Sequence, residues 1–260
     1  MNLPSEIAAN YVQIAKGKTT QVWWKTLILA VLAGAFIALG GAFATVAGSG
    51  YTGAQASLIK GAVFPLGLIL VVICGAELFT GNCLLIAPLL KREVKVTGVL
   101  KNLGIVYCGN LIGAVLIALL VIFGDAYKDV AKAAMDLAAA KCTANFGYTL
   151  LRGILCNILV CLAVWGAMAS KNAVGKVLIV YMPVFAFVAC GFEHSVANMF
   201  YLSAGLLAQP VYNLAAVDGL NVGNAILYNL LPSTLGNIIG GMLIGVAYWA
   251  VYLTEKRKEN

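Results

Sequence analysis

Two stretches of this chain set a carboxylate and an asparagine inside otherwise apolar sequence. The first is Gly75-Ala76-Glu77-Leu78-Phe79-Thr80-Gly81-Asn82 and the second is Gly191-Phe192-Glu193-His194-Ser195-Val196-Ala197-Asn198. Both read Gly-x-Glu-x-x-x-x-Asn, and the second holds the only histidine of the chain. A helix broken inside a bilayer frees backbone N–H and C=O groups, which are tolerated only when buried in protein or facing a polar cavity. Glu77 and Glu193 can accept hydrogen bonds from freed N–H groups and pin each joint, or they can serve as proton relays. Asn82 and Asn198 carry both donors and acceptors and suit caps of the same joints. His194 titrates near neutrality when unperturbed, so it can donate a hydrogen bond to an anion or hand a proton to a weak acid. Thr80 supplies a hydroxyl from the other stretch. A duplicated polar break within two hydrophobic spans marks a transport site built from two related halves.

The elements that must position these residues are membrane helices. Hydrophobic residues make up 62% of the 260 positions and charged residues only 10%, against about 25% charged in soluble domains. Mean hydropathy is +0.94. Spans of ~20 apolar residues are expected near 26–49, 61–90, 101–124, 146–169, 176–208 and 228–253, the second and fifth broken at the twin motifs. Residues 1–25 read as an amphipathic cytoplasmic segment, 26–124 as a first repeat, and 125–145 as an extracytoplasmic connector. Residues 146–253 then form a second repeat and 254–260 a cytoplasmic tail. Gly109-Asn110-Leu111-Ile112-Gly113 follows the first break and Gly236-Asn237-Ile238-Ile239-Gly240 the second, in the same order. Three helices per repeat is odd, so the halves lie in opposite orientations, with a pathway near the midplane.

Twelve of the seventeen lysines and arginines fall on the side of both termini, which places that side in the cytoplasm. The net charge of +7 is this inner-leaflet bias and calls for no nucleic-acid partner. Nothing implies a cofactor or a metal: the seven cysteines lack metal spacing, and there is one histidine. An intramembrane hydrolase built on Glu193-His194-Ser195 is disfavoured, because adjacent helical residues point about 100° apart. An aquaporin-like channel for neutral solutes remains the alternative, although no Asn-Pro-Ala motif occurs.

Residues 191–200, Gly-Phe-Glu-His-Ser-Val-Ala-Asn-Met-Phe, resemble the signature of the formate/nitrite transporter family, and residues 75–80 resemble its other signature. Residues 157–165 and 236–241 extend the likeness over nearly the whole chain. The resemblance implies a homopentamer of six-helix, aquaporin-like protomers in the cytoplasmic membrane, each with its own pore for a small monovalent anion and not an enzyme. It implies formate first, then nitrite or hydrosulfide, with protons involved in the passage. It carries Thr80 and His194 onto the central polar pair, and Phe64, Leu68, Leu78, Phe79 and Phe187 onto apolar constrictions. Lys141 matches a lysine of the outer vestibule and Asn157 a polar residue beside it. Read from the residues alone, Phe64, Leu68 and Phe187 are equally ordinary core or lipid-facing positions. The segment from Ile7 to Ala15 is either a gate at the cytoplasmic mouth, as the resemblance implies, or an interfacial anchor.

Overall fold

The computed structural model describes residues 1–254; most of the expected cytoplasmic tail, 255–260, lies outside the described residues. The described residues form helices and their connections, with no strand among them. Helix α1 covers Pro4–Thr20 and α2 Trp23–Gly48. Helices α3 (Gly53–Val63) and α4 (Leu66–Cys74) form one apolar run, followed after a break by α5 (Phe79–Leu90). Helix α6 is Val96–Phe123, α7 Ala131–Cys142 and α8 Phe146–Ala167. Helix α9 (Ala173–Ala189) is followed by a second break, then α10 (Ser195–Val211) and α11 (Val222–Leu253). Five segments, Trp23–Gly48, Gly53–Cys74, Val96–Phe123, Phe146–Ala167 and Val222–Leu253, are long and apolar enough to cross a membrane.

The helices start earlier than hydropathy alone suggests. Helix α6 begins at Val96 rather than near 101, and α11 at Val222 rather than near 228. The added turns are residues 96–100 and 222–227, and just beyond each lies a buried asparagine, Asn102 on α6 and Asn229 on α11. Helix α11 also contains two π-helical stretches, Ala225–Leu230 and Trp249–Leu253.

Helix pairs are brought together by small residues. In lipid, apolar side chains gain little by leaving their solvent, so close packing carries association. Helix α2 lies on α6 and α8 on α11, with Gly34 and Gly113 at the first contact and Gly153, Gly236 and Gly240 at the second. A Cβ on Gly153 would come within 2.9 Å of the Ser233 carbonyl oxygen, and one on Gly40 within 2.8 Å of that of Phe64. The two repeated Gly-Asn-x-Ile-Gly motifs of the sequence are thus also packing surfaces.

Helix α1 is not splayed outward. Ile7, Ala8, Tyr11 and Val12 are buried against Leu84, Ala87, Cys161, Trp165 and Leu253, and Ala15 against Leu85 and Val99. Lys16 Nζ lies 2.7 Å from Glu93 in the loop after α5. The Lys16 ammonium holds the Glu93 carboxyl below the usual carboxylate range. A depressed carboxyl keeps its charge until the pH falls through the lowered value, so this tether is present at neutral pH and lost only in acid.

Gly113 decides how closely α2 and α6 approach, because an added Cβ would overlap the Val31 carbonyl oxygen, whereas Gly104 on the same helix has nothing within 4 Å. Gly113→Ala should therefore destabilise by about 1–3 kcal/mol, read as a lower unfolding midpoint in detergent, while Gly104→Ala should not. Equal midpoints would contradict this packing.

Candidate functional site

The backbone of the two breaks is held in the same way. Each opens on a glycine in the left-handed region, Gly75 at φ +75° and Gly191 at φ +68°. Each is closed by a backbone bond spanning five residues, Ala76 N–H to Val71 O at 3.0 Å and Phe192 N–H to Phe187 O at 2.9 Å. This is the Schellman way of ending a helix, and it needs a residue without a Cβ penalty at the turn. The glutamate N–H groups then leave the local chain: Glu77 donates to Leu29 O on α2 and Glu193 to Arg152 O on α8.

One further N–H and one C=O of each break are taken by a single asparagine from another helix. Asn110 on α6 accepts from Phe79 N–H at 2.9 Å and donates to the carbonyls of Ala30 (2.7 Å) and Glu77 (2.9 Å). Asn237 on α11 accepts from Ser195 N–H at 2.8 Å and donates to the carbonyls of Gly153 (2.8 Å) and Glu193 (2.9 Å). Both side chains are fully buried. The expectation that Glu77 and Glu193 take the freed N–H groups is therefore corrected. An amide can accept one bond and donate two at once, which a carboxylate cannot, so asparagine fits a site that exposes both N–H and C=O groups.

The carboxylates instead hold side chains. Glu77 accepts from Lys18 Nζ at 2.6 Å and from Asn82 Nδ2 at 2.7 Å, and Asn82 Nδ2 also reaches Asn102 Oδ1 at 2.8 Å. Glu193 accepts from Lys141 Nζ at 2.7 Å, from Asn198 Nδ2 at 2.7 Å and from Asn229 Nδ2 at 3.4 Å. Each glutamate is thus met by a lysine from outside its own break, Lys18 from α1 and Lys141 from α7. Charge counting treats Lys18 only as inner-leaflet bias, and Asn102 and Asn229 draw no notice in the sequence. One signal was available: Asn102 precedes Asn110 by the same eight positions that separate Asn229 from Asn237.

Between the breaks, Thr80 Oγ1 lies 2.9 Å from His194 Nε2, with both residues buried. His194 is the N-cap of α10, and its Nδ1 accepts from Ala197 N–H at 3.0 Å. An acceptor nitrogen carries no proton, so in the neutral ring the proton sits on Nε2 and points at Thr80. The Thr80 carbonyl accepts from Asn157 Nδ2 at 3.1 Å, and Asn157 also donates to Asn237 O. Asn157 is expected beside Lys141 in a vestibule, yet it lines neither of the cavities described next. Its amide is spent on two backbone carbonyls deep in the protein, where it is fully buried.

Two cavities approach this pair. One, about 520 Å³, lies against α1 and is lined by Tyr11, Lys18, Glu77, Leu78, Gly81 and Asn82, among others. The second, about 290 Å³, is lined by Lys60, Phe64, Lys141, Arg152, Phe187 and His194, among others. Leu68, Phe79 and Thr80 line neither cavity and are buried. Phe64 and Phe187 meet edge to face at 5.8 Å, and Phe187 stacks on His194 at 5.8 Å. The arrangement sets one hydroxyl and one imidazole among buried apolar side chains, with a cavity carrying charged residues on the Glu77 side and another on the Glu193 side.

A sequence model of the formate/nitrite transporter family matches residues 5–250. The chain belongs to that family. It is 39% identical over 276 residues to a "probable formate transporter" of Methanothermobacter thermautotrophicus, covering 97% of each protein. It is 38% identical to a formate channel of Escherichia coli strain K12, covering 97% of this chain and 95% of that one. Among solved structures, a pentameric formate channel with formate bound superposes with a TM-score of 0.79 at 33% identity, covering 89% of this chain and 98% of the other. These relatives are channels and transporters embedded in membranes rather than enzymes, and so is this protein.

The Lys141–Glu193 pair, with side chains only 13% and 10% exposed, offers a test of the joint. Lys141→Ala strands a buried carboxylate and should cost about 3 kcal/mol in unfolding of the detergent-solubilised protein. Adding Glu193→Gln should recover more than half of that loss. Additive losses would show that the two side chains are not coupled.

Proposed function

We propose that the protein is a channel for the small monovalent anions of weak acids, formate first, with nitrite and hydrosulfide next. The Thr80–His194 hydrogen bond between two charged cavities is the observation that carries this reading. It is supported by likeness to a pentameric channel solved with formate bound. The full arrangement we infer is six spans, counting the broken segments α3–α4–α5 and α9–α10 as one each. The two three-helix repeats, 26–124 and 146–253, lie in opposite orientations around an axis in the membrane plane, as in aquaporins. The matched capping by Asn110 and Asn237 supports this relation. The protomers form a homopentamer in the cytoplasmic membrane with both termini inside, which puts the α1 cavity on the cytoplasmic side and the Lys141 cavity outside.

A bare anion loses its hydration in an apolar slit at large cost, whereas formic acid, nitrous acid or hydrogen sulfide loses far less. The positive field of a mouth concentrates the anion. At the centre, His194 Nε2–H and the Thr80 hydroxyl are the donors that replace water. Leu78, Phe79, Leu68, Phe64 and Phe187 exclude water on either side. A protonated ring that gave up its Nε2 proton would be left with the remaining proton on Nδ1, facing Ala197 N–H. That cap would have to open at every cycle. The geometry therefore supports His194 as a hydrogen-bond donor, with the neutralising proton relayed through water from the cavities.

Proteoliposome flux of labelled formate, beside nitrite and hydrosulfide, tests the reading directly. His194→Asn keeps a donor but no titrating group, whereas His194→Leu removes the donor. With the proton relayed through water, the ratio of His194→Asn to wild-type flux should stay constant between about pH 5 and 8, and His194→Leu should lower the flux severalfold at every pH. A His194→Asn ratio that changes severalfold across that range would show that the ring itself supplies the proton, and undiminished flux in His194→Leu would remove the histidine from the mechanism.

A further inference from the structure

The second cavity holds three cations, and they are not equivalent. Lys141 is committed: its Nζ is 2.7 Å from Glu193 Oε2 and 5.8 Å from the Tyr201 ring. Arg152 lies exposed at the cavity. Lys60 is half-buried and lines the same cavity, yet the ion pairs of the described residues use Lys16, Lys18, Lys91, Lys128, Lys132 and Lys141 and leave Lys60 without a carboxylate. Setting Glu193 against Lys141, the uncompensated charge of this chamber is that of Lys60 and Arg152.

Lys60 is also held in place, which a solvated lysine is not. Its aliphatic stem runs across Gly48 at the end of α2, where an added Cβ would come within 2.7 Å of Lys60 Cγ and closer still to Cε. A long stem lying on protein with its charged head kept in the aqueous space is the usual way such a residue bridges the two media. Lys60 stands one helical turn before Phe64, whose N–H donates to the Lys60 carbonyl at 3.0 Å. Residues four apart share a helix face. The unmatched ammonium is therefore fixed on the approach to the Phe64–Phe187 contact.

We propose that Lys60, rather than the neutralised Lys141, draws the permeating anion into the second cavity and delivers it to the Phe64–Phe187 constriction. The proposal rests on the channel reading. Its ligand is a small monovalent anion, held by charge in a chamber whose low-dielectric walls focus the field. Lys141 then serves chiefly to keep Glu193 and the second break in place.

The test is formate uptake into proteoliposomes at pH 7 and low ionic strength, comparing wild type with Lys60→Met, Lys60→Gln and Lys60→Arg. Methionine keeps the stem on Gly48 and removes only the charge, so assembly, checked by size exclusion, should survive. The half-saturating formate concentration should rise about three- to tenfold in Lys60→Met and Lys60→Gln, with the maximal rate little changed, and Lys60→Arg should restore it. The difference should shrink in about 0.5 M of an impermeant salt, where the Debye length is only a few ångströms. An unchanged half-saturating concentration in Lys60→Met, or a salt-independent loss shared by Lys60→Arg, would overturn the role of Lys60 alone. A wild-type protein that passes formate no faster than empty liposomes would overturn the channel reading and this proposal together.

Discussion

The bilayer forbids an unsatisfied backbone group, and everything at the centre of this protein follows from how that demand is met twice. A helix that stops at mid-depth leaves N–H and C=O groups that no water can reach. Here one asparagine per break, Asn110 or Asn237, accepts from the first N–H beyond the break and donates to one carbonyl within it and one on a neighbouring helix, Ala30 of α2 or Gly153 of α8. Because each asparagine sits on a different helix from the break it serves, the caps also clamp α6 and α11 onto the joints. The glycines beside them allow those helices to come close enough for the bonds to form.

On this matched scaffold the chemistry is deliberately unmatched. The position after the glutamate is Leu78 in one break and His194 in the other, and two positions further stand Thr80 and Val196. The scaffold therefore brings one hydroxyl and one imidazole to a single point rather than two of each. Leucine cannot cap α5 as His194 caps α10, and only the second break ties its polar side chain to its own helix N-terminus. That tie fixes which ring nitrogen faces Thr80. The lysine–glutamate pairs extend the same logic outward, since they lock α1 to the first break and α7 to the second.

Much of this was legible in the residues. The twin Gly-x-Glu-x-x-x-x-Asn stretches locate both breaks, and the glycine at the head of each is required by its positive φ. Thr80 and His194 stand out as polar groups in apolar runs, and they meet. The illegible part is where polar groups serve one another at long range. Asn110 and Asn237 are visible as repeated motifs, but their task depends on which helix lies beside which break. Lys18 looks like ordinary inner-leaflet charge until α1 folds back and buries its apolar face on the protein. Asn157 falls at the Thr80 carbonyl instead of in a vestibule, because the pairing of helices α8 and α11 turns it inward. Asn102 and Asn229 are likewise illegible, since hydropathy measures transfer to lipid and not the bonds a polar side chain finds inside the protein.

A single histidine makes the central point directly observable. Nitrogen-15 spectra of the histidine-labelled protein in lipid contain one ring, that of His194, whose two nitrogens report which is protonated and what each touches. At neutral pH the Nδ1 signal should be that of an unprotonated acceptor and the Nε2 signal that of an N–H, and added formate should move Nε2 while leaving Nδ1 in place. A ring protonated on Nδ1 and indifferent to formate would contradict the placement of the imidazole donor in the path of the anion.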